Sequence, residues 1–411
     1  MKKAFRRFCS LGAALLAVIL VIGIFGPVKI RAAEKKTVRV LTAKELNKAL
    51  KKSDVGTVIL RTESYDDITI STKKGKKKIL VVDCPNAKVI NKSKFKSIEL
   101  VNAAKYIENV SGNTITAQIT AGFEVAAGKS VKKLIVTFEG ADFTIRKGAA
   151  IKTLSYNYGD NKSTFDKKTR VLTFTGYMYN GYGGYDVSEQ KLTLDKDGRV
   201  LSVQYKGMEG ENCLTTAEYD ENGNVIKTVE KNADTGEVTR TVTKEYDKNN
   251  NLIAYNDNYG GYDQYYNYEY DSKNRMTKAS GDYGDGGFKR TFSYDSKGRN
   301  IECVSTYGSG GDEYGYNDYY TYNKKGYLIT SSYVYEGTMK SETTYTYDKN
   351  GNITYITTVE EYYNQNSDGA AQTYTYKYEY KYEFDEFGGI IGAFMKNPEN
   401  GQWVDMSEVS D

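Results

Sequence analysis

The side chains with the most chemistry to offer in this 411-residue sequence are carboxylates and phenols, because it contains no histidine. That absence removes Ser-His-Asp and Cys-His catalysis, imidazole metal ligation and histidine pH switching in one step. In the first 150 residues the adjacent acid pair is Asp66–Asp67, while Asp83 and Asp142 stand alone among lysines and apolar residues. These carboxylates read as turn and strand-end residues, and no catalytic residue is expected. The DxNG and DxDG segments at Asp195–Gly198, Asp220–Gly223 and Asp348–Gly351 bring oxygens together as a calcium loop would. A helix–loop–helix calcium site needs Gly at its sixth position and Glu at its twelfth. Here Gly comes fourth and no terminal Glu recurs, so these segments read as turns, and no metal or cofactor is expected. Tyrosine is the remaining candidate. Tyr262, Tyr265, Tyr266, Tyr314, Tyr316, Tyr319 and Tyr320 cluster beside Gly-rich segments. Phenol rings stack on apolar faces, including those of sugars, and their hydroxyls hydrogen-bond. These seven form the candidate binding site for a glycan or a protein, although most of the 39 tyrosines must fill the fold itself.

Tyrosine divides the chain into two regions. Only Tyr65 and Tyr106 precede residue 150; the other 37 follow it. The first region carries short β-branched runs at 57–60, 68–70, 79–82, 97–101, 114–116, 134–137 and 143–145, separated by Gly, Asn, Asp, Ser and Lys. Many short strands joined by turns are predicted. One helix stands ahead of them: Thr42 with Glu45 makes a capping box, and Leu46 and Leu50 share a face. A short amphipathic helix before regularly spaced strands resembles the start of a right-handed parallel β-helix of the pectate-lyase-like type. The resemblance implies four or five coils over residues 37–155, with the helix covering the open end. That family includes polysaccharide lyases and hydrolases, so a polysaccharide-active enzyme is one alternative.

The second region repeats. Its core is an aromatic residue (once Leu), Asp or Asn, two variable residues, Gly or Asn (once Thr), and in most units a polar residue. It reads FDKKTR at Phe165, LDKDGR at Leu194, YDENGN at Tyr219, YDKNNN at Tyr246, YDSKNR at Tyr270, YDSKGR at Tyr294, YNKKGY at Tyr322, YDKNGN at Tyr347 and FDEFGG at Phe384. Asp opens a tight turn by accepting bonds from amides two residues on, and Gly or Asn takes the left-handed conformation that returns the strand. Gly-rich segments at 180–186, 258–263, 283–289 and 307–313 supply the opposite turns, so a long antiparallel meander is predicted. In it, 374–384 (YTYKYEYKYEF) is the longest strand, 353–363 its partner, and its aromatic face part of the core. YEYDSKNR, FSYDSKGR and YTYDKNGN resemble the YD repeats of the Rhs family, whose members build spiralling β-sheets. That resemblance implies a second alternative, a fragment or shell of an Rhs-type toxin.

Address and charge complete the reading. Lys2, Lys3, Arg6 and Arg7 precede an apolar run from Leu11 to Phe25, followed by small residues, which reads as a secretory signal peptide or an uncleaved membrane anchor. This leader holds six of the 57 basic residues and none of the 53 acidic ones, leaving 51 against 53. The remainder is near neutral, and no nucleic-acid partner is expected. Residues 34–150 hold 23 Lys/Arg and 12 Asp/Glu, whereas 151–411 hold 28 and 41, marking two different surfaces. Cys84, Cys213 and Cys303 are odd in number and widely spaced, so they form neither a disulfide framework nor a zinc site. The expected all-β organisation is a leader over 1–33, a β-helix-like domain over 34–155, a YD-repeat sheet over 156–395 and a tail over 396–411. The expected role is non-enzymatic: a secreted or surface-associated bacterial protein for adhesion, wall association or scaffolding. Its expected partner is a cell-wall polymer, glycan or surface protein, and it meets a membrane only through the leader.

Overall fold

A computed structural model describes residues 35–119, 122–137, 143–158, 161–179, 185–206, 212–282, 286–308, 314–335, 338–365 and 371–407. The leader and the Gly-rich segments at 180–184, 283–285 and 309–313 lie outside the described residues. The fold is all β: a parallel β-solenoid of about six turns followed by a large antiparallel sheet.

In the solenoid, apolar residues from successive coils fall into register. Val38, Val58, Leu80, Ile98, Ile115, Leu134 and Leu154 form one stack, and Val40, Leu60, Val82, Leu100, Ala117, Val136 and Tyr156 the next. Every member of the second stack is buried. Full burial of such an aliphatic side chain is worth roughly 1.5–3 kcal/mol, so the column holds the coils together without a disulfide. About six turns rather than four or five fit between the strand Lys36–Val40 and the strand Leu154–Tyr158 because the coils are short, successive members of the first stack lying 17–22 residues apart. The helix Ala43–Leu50 closes one end of the core. Thr42 Oγ1 accepts from the Glu45 amide at 3.2 Å, the Glu45 carboxylate accepts from the Leu41 amide at 2.8 Å, and Leu46, Ala49 and Leu50 are buried. The other end is closed by the first strands of the sheet: Leu172, Phe174, Leu192 and Leu194 join the solenoid core, with the Phe174 ring 6.2 Å from that of Tyr156.

Among the described residues the sheet has nineteen strands in unbroken chain order, from Thr164–Asp166 to Trp403–Asp405. Most of the Asp-led turns share one plan. Asp295 Oδ1 accepts from the Lys297 and Arg299 amides, both at 2.9 Å, while Arg299 Nε donates to Oδ2 at 2.7 Å. Asp271 with Arg275 repeats this, and Asn224, Asn251 and Asn352 replace the guanidinium with their amide nitrogens at 2.7–2.9 Å. The arginine then lies over the tyrosine of the next repeat: Arg275 over Tyr294 and Arg299 over Tyr322, each 4.7 Å from the ring centre. That tyrosine's hydroxyl donates back to the strand after the earlier turn, Tyr294 to the Met276 carbonyl at 2.6 Å and Tyr322 to Asn300 at 2.8 Å. The left-handed residue is Gly or Asn in the later turns, as at Gly298 (φ 90°), Asn250 (65°) and Asn274 (61°). The first repeat differs: Arg170, one residue later than expected, takes φ 57°.

The turns dock along the solenoid. The amides of Ile151 and Tyr65 donate to the Asp197 and Gly326 carbonyls at 2.8 and 2.9 Å, and Arg39 donates to the Asn350 carbonyl at 3.1 Å. At this seam glycine is needed for space as well as for φ. A Cβ on Gly326 would sit 2.5 Å from Ser64 Oγ and 2.9 Å from Asp66 Oδ1. The two turns with Asn at this position bond instead to neighbouring turns: Asn250 Oδ1 accepts from Asn224 at 2.8 Å, and Asn274 Oδ1 from Asn251 at 3.1 Å.

Candidate functional site

Strand alternation sorts the seven candidate tyrosines onto two faces. Tyr262 and Tyr266, with Tyr314, Tyr316 and Tyr320, share the face that also carries the repeat aromatics such as Tyr294 and Tyr322. Tyr265 and Tyr319 point to the opposite face. That face carries charged cross-strand pairs such as Glu269 with Lys278 at 2.9 Å. Nor are all seven exposed. Tyr262 is 79% exposed beside the Gly260–Gly261 turn, and Tyr265, Tyr314 and Tyr319 are exposed to lesser degrees. Tyr266, Tyr316 and Tyr320 are half-buried, because they lie further from the free hairpin ends and pack on neighbouring rings.

Those rings form a row across the sheet. Tyr255 meets Tyr266 edge-on at 5.3 Å, Tyr266 lies 6.1 Å from Phe288, Phe288 6.0 Å from Tyr307, Tyr307 5.2 Å from Tyr316, and Tyr316 5.1 Å from Tyr333. Tyr266 and Phe288 meet across an intervening strand because that strand presents Gly281, where a Cβ would lie 2.5 Å from Phe288 and 3.0 Å from Tyr266. Such offset and edge contacts match the ring quadrupoles and stiffen the row.

Charged groups punctuate it. Arg290 lies over the Phe288 ring at 5.1 Å; its Nε donates to the Tyr307 hydroxyl at 3.0 Å, and that oxygen is 2.6 Å from the Tyr316 hydroxyl. Burial pushes the Asp318 carboxyl up to about 6, against the opposing pull of Arg290. Arg240 Nε donates to Asp257 Oδ1 at 2.8 Å and Tyr255 to Asp257 Oδ2 at 2.9 Å. The Arg240 bond, with help from Tyr255, holds the Asp257 carboxyl low despite burial. None of these four charges was among the candidates. Their signal lies in the alternation: Arg290 sits between Phe288 and Phe292, Asp257 between Tyr255 and Tyr259, and Asp318 between Tyr316 and Tyr320, each at a position of aromatic parity.

The face changes along its strands. Near the Asp-led turns it is closed: Leu328, Tyr345 and Ile356 are buried, with Tyr65 of the solenoid and Tyr320, Tyr322, Tyr380 and Tyr382 around them. At the far ends it opens, with Tyr259 63%, Tyr314 39% and Tyr376 49% exposed. The stripe of YTYKYEYKYEF follows this gradient. Tyr380 and Tyr382 join the core as expected, whereas Tyr374, Tyr376 and Tyr378 stay exposed because the solenoid reaches only the turn end.

The acids of the solenoid are engaged elsewhere. Asp66 lies 3.3 Å from Lys297 and 3.9 Å from Arg299, Asp67 pairs with Lys88, and Asp83 lies 3.2 Å from Arg61; Asp142 is outside the described residues. Glu108 is fully buried and accepts from Tyr106 at 2.8 Å and from the side-chain amides of Asn91 and Asn113, both at 3.0 Å. Burial lifts its carboxyl to about 7 against those bonds. At the seam Glu63 also rises to about 7, through burial and the Asp83 charge, opposed by Arg61, Arg39 and Asn86. Among the described residues no group of three or more Cys, Asp or Glu is placed to hold a metal ion. No described helix is long and apolar enough to cross a membrane.

No protein-family model and no curated protein matches the chain. Among solved structures it is similar to the Photorhabdus luminescens Tc holotoxin pore carrying a TccC3 mutation, at 13% identity and a TM-score of 0.24 over 55% of this chain and 15% of that one. It is similar at 13% identity and 0.24 to TcdB2-TccC3 without its hypervariable C-terminal region, over 57% of this chain and 16% of that one. A porin-like protein from Bacteroides uniformis matches at 11% identity and 0.20, over 53% of this chain and 92% of that one. This chain therefore spans about a sixth of the toxin chains, and likeness at these scores assigns it no function.

Proposed function

We propose that the chain is a non-enzymatic binding and scaffolding protein of the bacterial surface or extracellular space, and that the open end of its aromatic face takes a glycan or wall polymer. The observation that carries this reading is the row of rings. On the same face Tyr314 stacks on the row's Tyr307 at 5.7 Å, Tyr259 and Tyr262 stand exposed at the hairpin end beside it, and Gln264, Arg290 and Asp318 lie further inward. Ring faces stack on sugar faces, and interspersed amide, guanidinium and carboxylate groups hydrogen-bond hydroxyls. The cations held by Asp66, Asp67 and Asp83 support a structural use of the solenoid acids rather than turnover.

A glycan array and a wall-polymer pulldown with the full chain test it. Retention without turnover is expected, weakened at least about tenfold in a Tyr262→Ala, Tyr314→Ala double variant, as expected for aromatic anchors. Absence of retention on every glycan and wall fraction overturns it, and polyuronate cleavage lost in Asp66→Asn would instead establish the enzyme alternative. The repeat grammar itself favours one second reading, a piece of an Rhs-type shell. Neighbouring genes for a toxin core and its immunity protein would distinguish it.

A further inference from the structure

The strand Ala371–Phe384 is hydrogen-bonded on one side to the strand Ile353–Gln365, from Ala371 to Lys381. On its other side the strand Ile390–Lys396 covers only Tyr380–Phe384. Lys396, the last residue of that strand, reaches Glu379, so among the described residues the stretch without a partner strand on that side is centred on Gln372–Tyr378, roughly 23 Å of edge at about 3.3 Å per residue. Natural edges of this length are usually blunted by charged side chains (lysine above all), proline, a bulge or a cover; the charges here, Lys377 and Glu379, neutralise each other. This segment contains no proline, and its pairing with the neighbouring strand runs without a register shift. Its amides and carbonyls are therefore a ready template for a further strand.

We propose that this edge is a dimerisation surface on which a second copy of the chain pairs antiparallel, joining two sheets into one. Self-pairing fits because the segment complements itself. Pairing the whole open stretch with its copy puts Thr375 on the two-fold axis, Tyr374 opposite Tyr376 of the second copy, and Lys377 opposite Thr373. No like charges oppose each other in that register. Lys377 and Glu379 already lie 3.2 Å apart within the chain, and Lys396 adds a contact to Glu379 at 3.0 Å, so the edge presents compensated charge to its copy. The aromatic pairs it would form are those the chain uses internally, where Tyr362 faces Tyr374 and Tyr259 faces Tyr262. The exposure of Tyr374, Tyr376 and Tyr378 is that of rings at the boundary of an uncompleted sheet.

Sedimentation of the full chain over a concentration series tests the proposal, with a monomer–dimer equilibrium expected. Thr375→Cys, oxidised, is expected to give a covalent dimer that the parent chain, with its own cysteines, does not give. Thr375→Pro and Tyr376→Pro bracket the strand's alternation, in which one of two successive amides faces the open edge. The variant that keeps the parental Tm is expected to be monomeric. A monomer at every concentration overturns the proposal, as does a dimer that persists in the folded proline variant. Failure of Thr375→Cys to cross-link overturns it as well, so the outcome does not depend on the proline variants folding.

Discussion

In the repeats led by Asp271 and Asp295 the aspartate, the arginine four positions on and the next tyrosine form one bonded unit. The carboxylate gathers its own turn's amides, the guanidinium neutralises it and stacks on the ring, and the ring's hydroxyl returns to a carbonyl of the preceding strand. This explains why the grammar is Tyr-Asp-x-x-Gly-Arg and not merely aromatic and polar. A phenylalanine would keep the stack and leave the carbonyl without its donor. Tyr322→Phe is therefore expected to cost roughly 1 kcal/mol, the usual net worth of such a bond, with the Tm falling accordingly in thermal unfolding. An unchanged Tm would show that water replaces the hydroxyl. Lysine in place of Arg299 keeps the charge but loses the planar stack and fork, and is expected to destabilise by a similar amount.

Among the elements, the turns divide by what they touch. Gly326 combines φ 85° with contact to Ser64 and Asp66, so Gly326→Ala faces both backbone strain and a clash and is expected to cost more than about 2 kcal/mol. Asn274 has the same left-handed backbone in a turn bonded to its neighbour turn, so Asn274→Gly is expected to change stability by less than about 1 kcal/mol. Equal losses in chemical denaturation would refute the distinction. The strands and turns were legible because their signals are local: a two-residue period and an Asp-to-Gly spacing. The candidate site was only half legible. Alternation alone puts Tyr262 and Tyr265 on opposite faces, and Arg290 at aromatic parity was visible in FKRTF. That Tyr266 touches Phe288 depends on a missing side chain, Gly281, on the strand between them, and no single-strand pattern encodes it.

For the whole molecule, two sets of carboxylates set opposite pH slopes. Glu63 and Glu108 hold protons up to about 7 in the fold, against roughly 4.3 when unfolded. The native state therefore binds more protons between these values, and stability from these groups falls as pH rises through that window. Turn aspartates act the other way. The Arg275 side chain and backbone amides hold the Asp271 carboxyl low, so its contribution is present above roughly pH 4 and is lost on further acidification. Maximal stability is expected near the lower end of that window, and Glu63→Gln with Glu108→Gln is expected to flatten the decline towards pH 7; a Tm that rises steadily from pH 5 to 8 would contradict this. The two grammars, the helix cap, the coil stacks in outline and the order of the meander are written locally, because each follows from periodicity and turn chemistry between residues near in the chain. Three-dimensional packing settles that turns hundreds of residues away dock on the solenoid, that this closes the aromatic face at one end and leaves it open at the other, and that one long strand has an edge stretch with which no described strand pairs. Those outcomes depend on how far the solenoid reaches under the sheet and where neighbouring strands stop, lengths that no local pattern specifies.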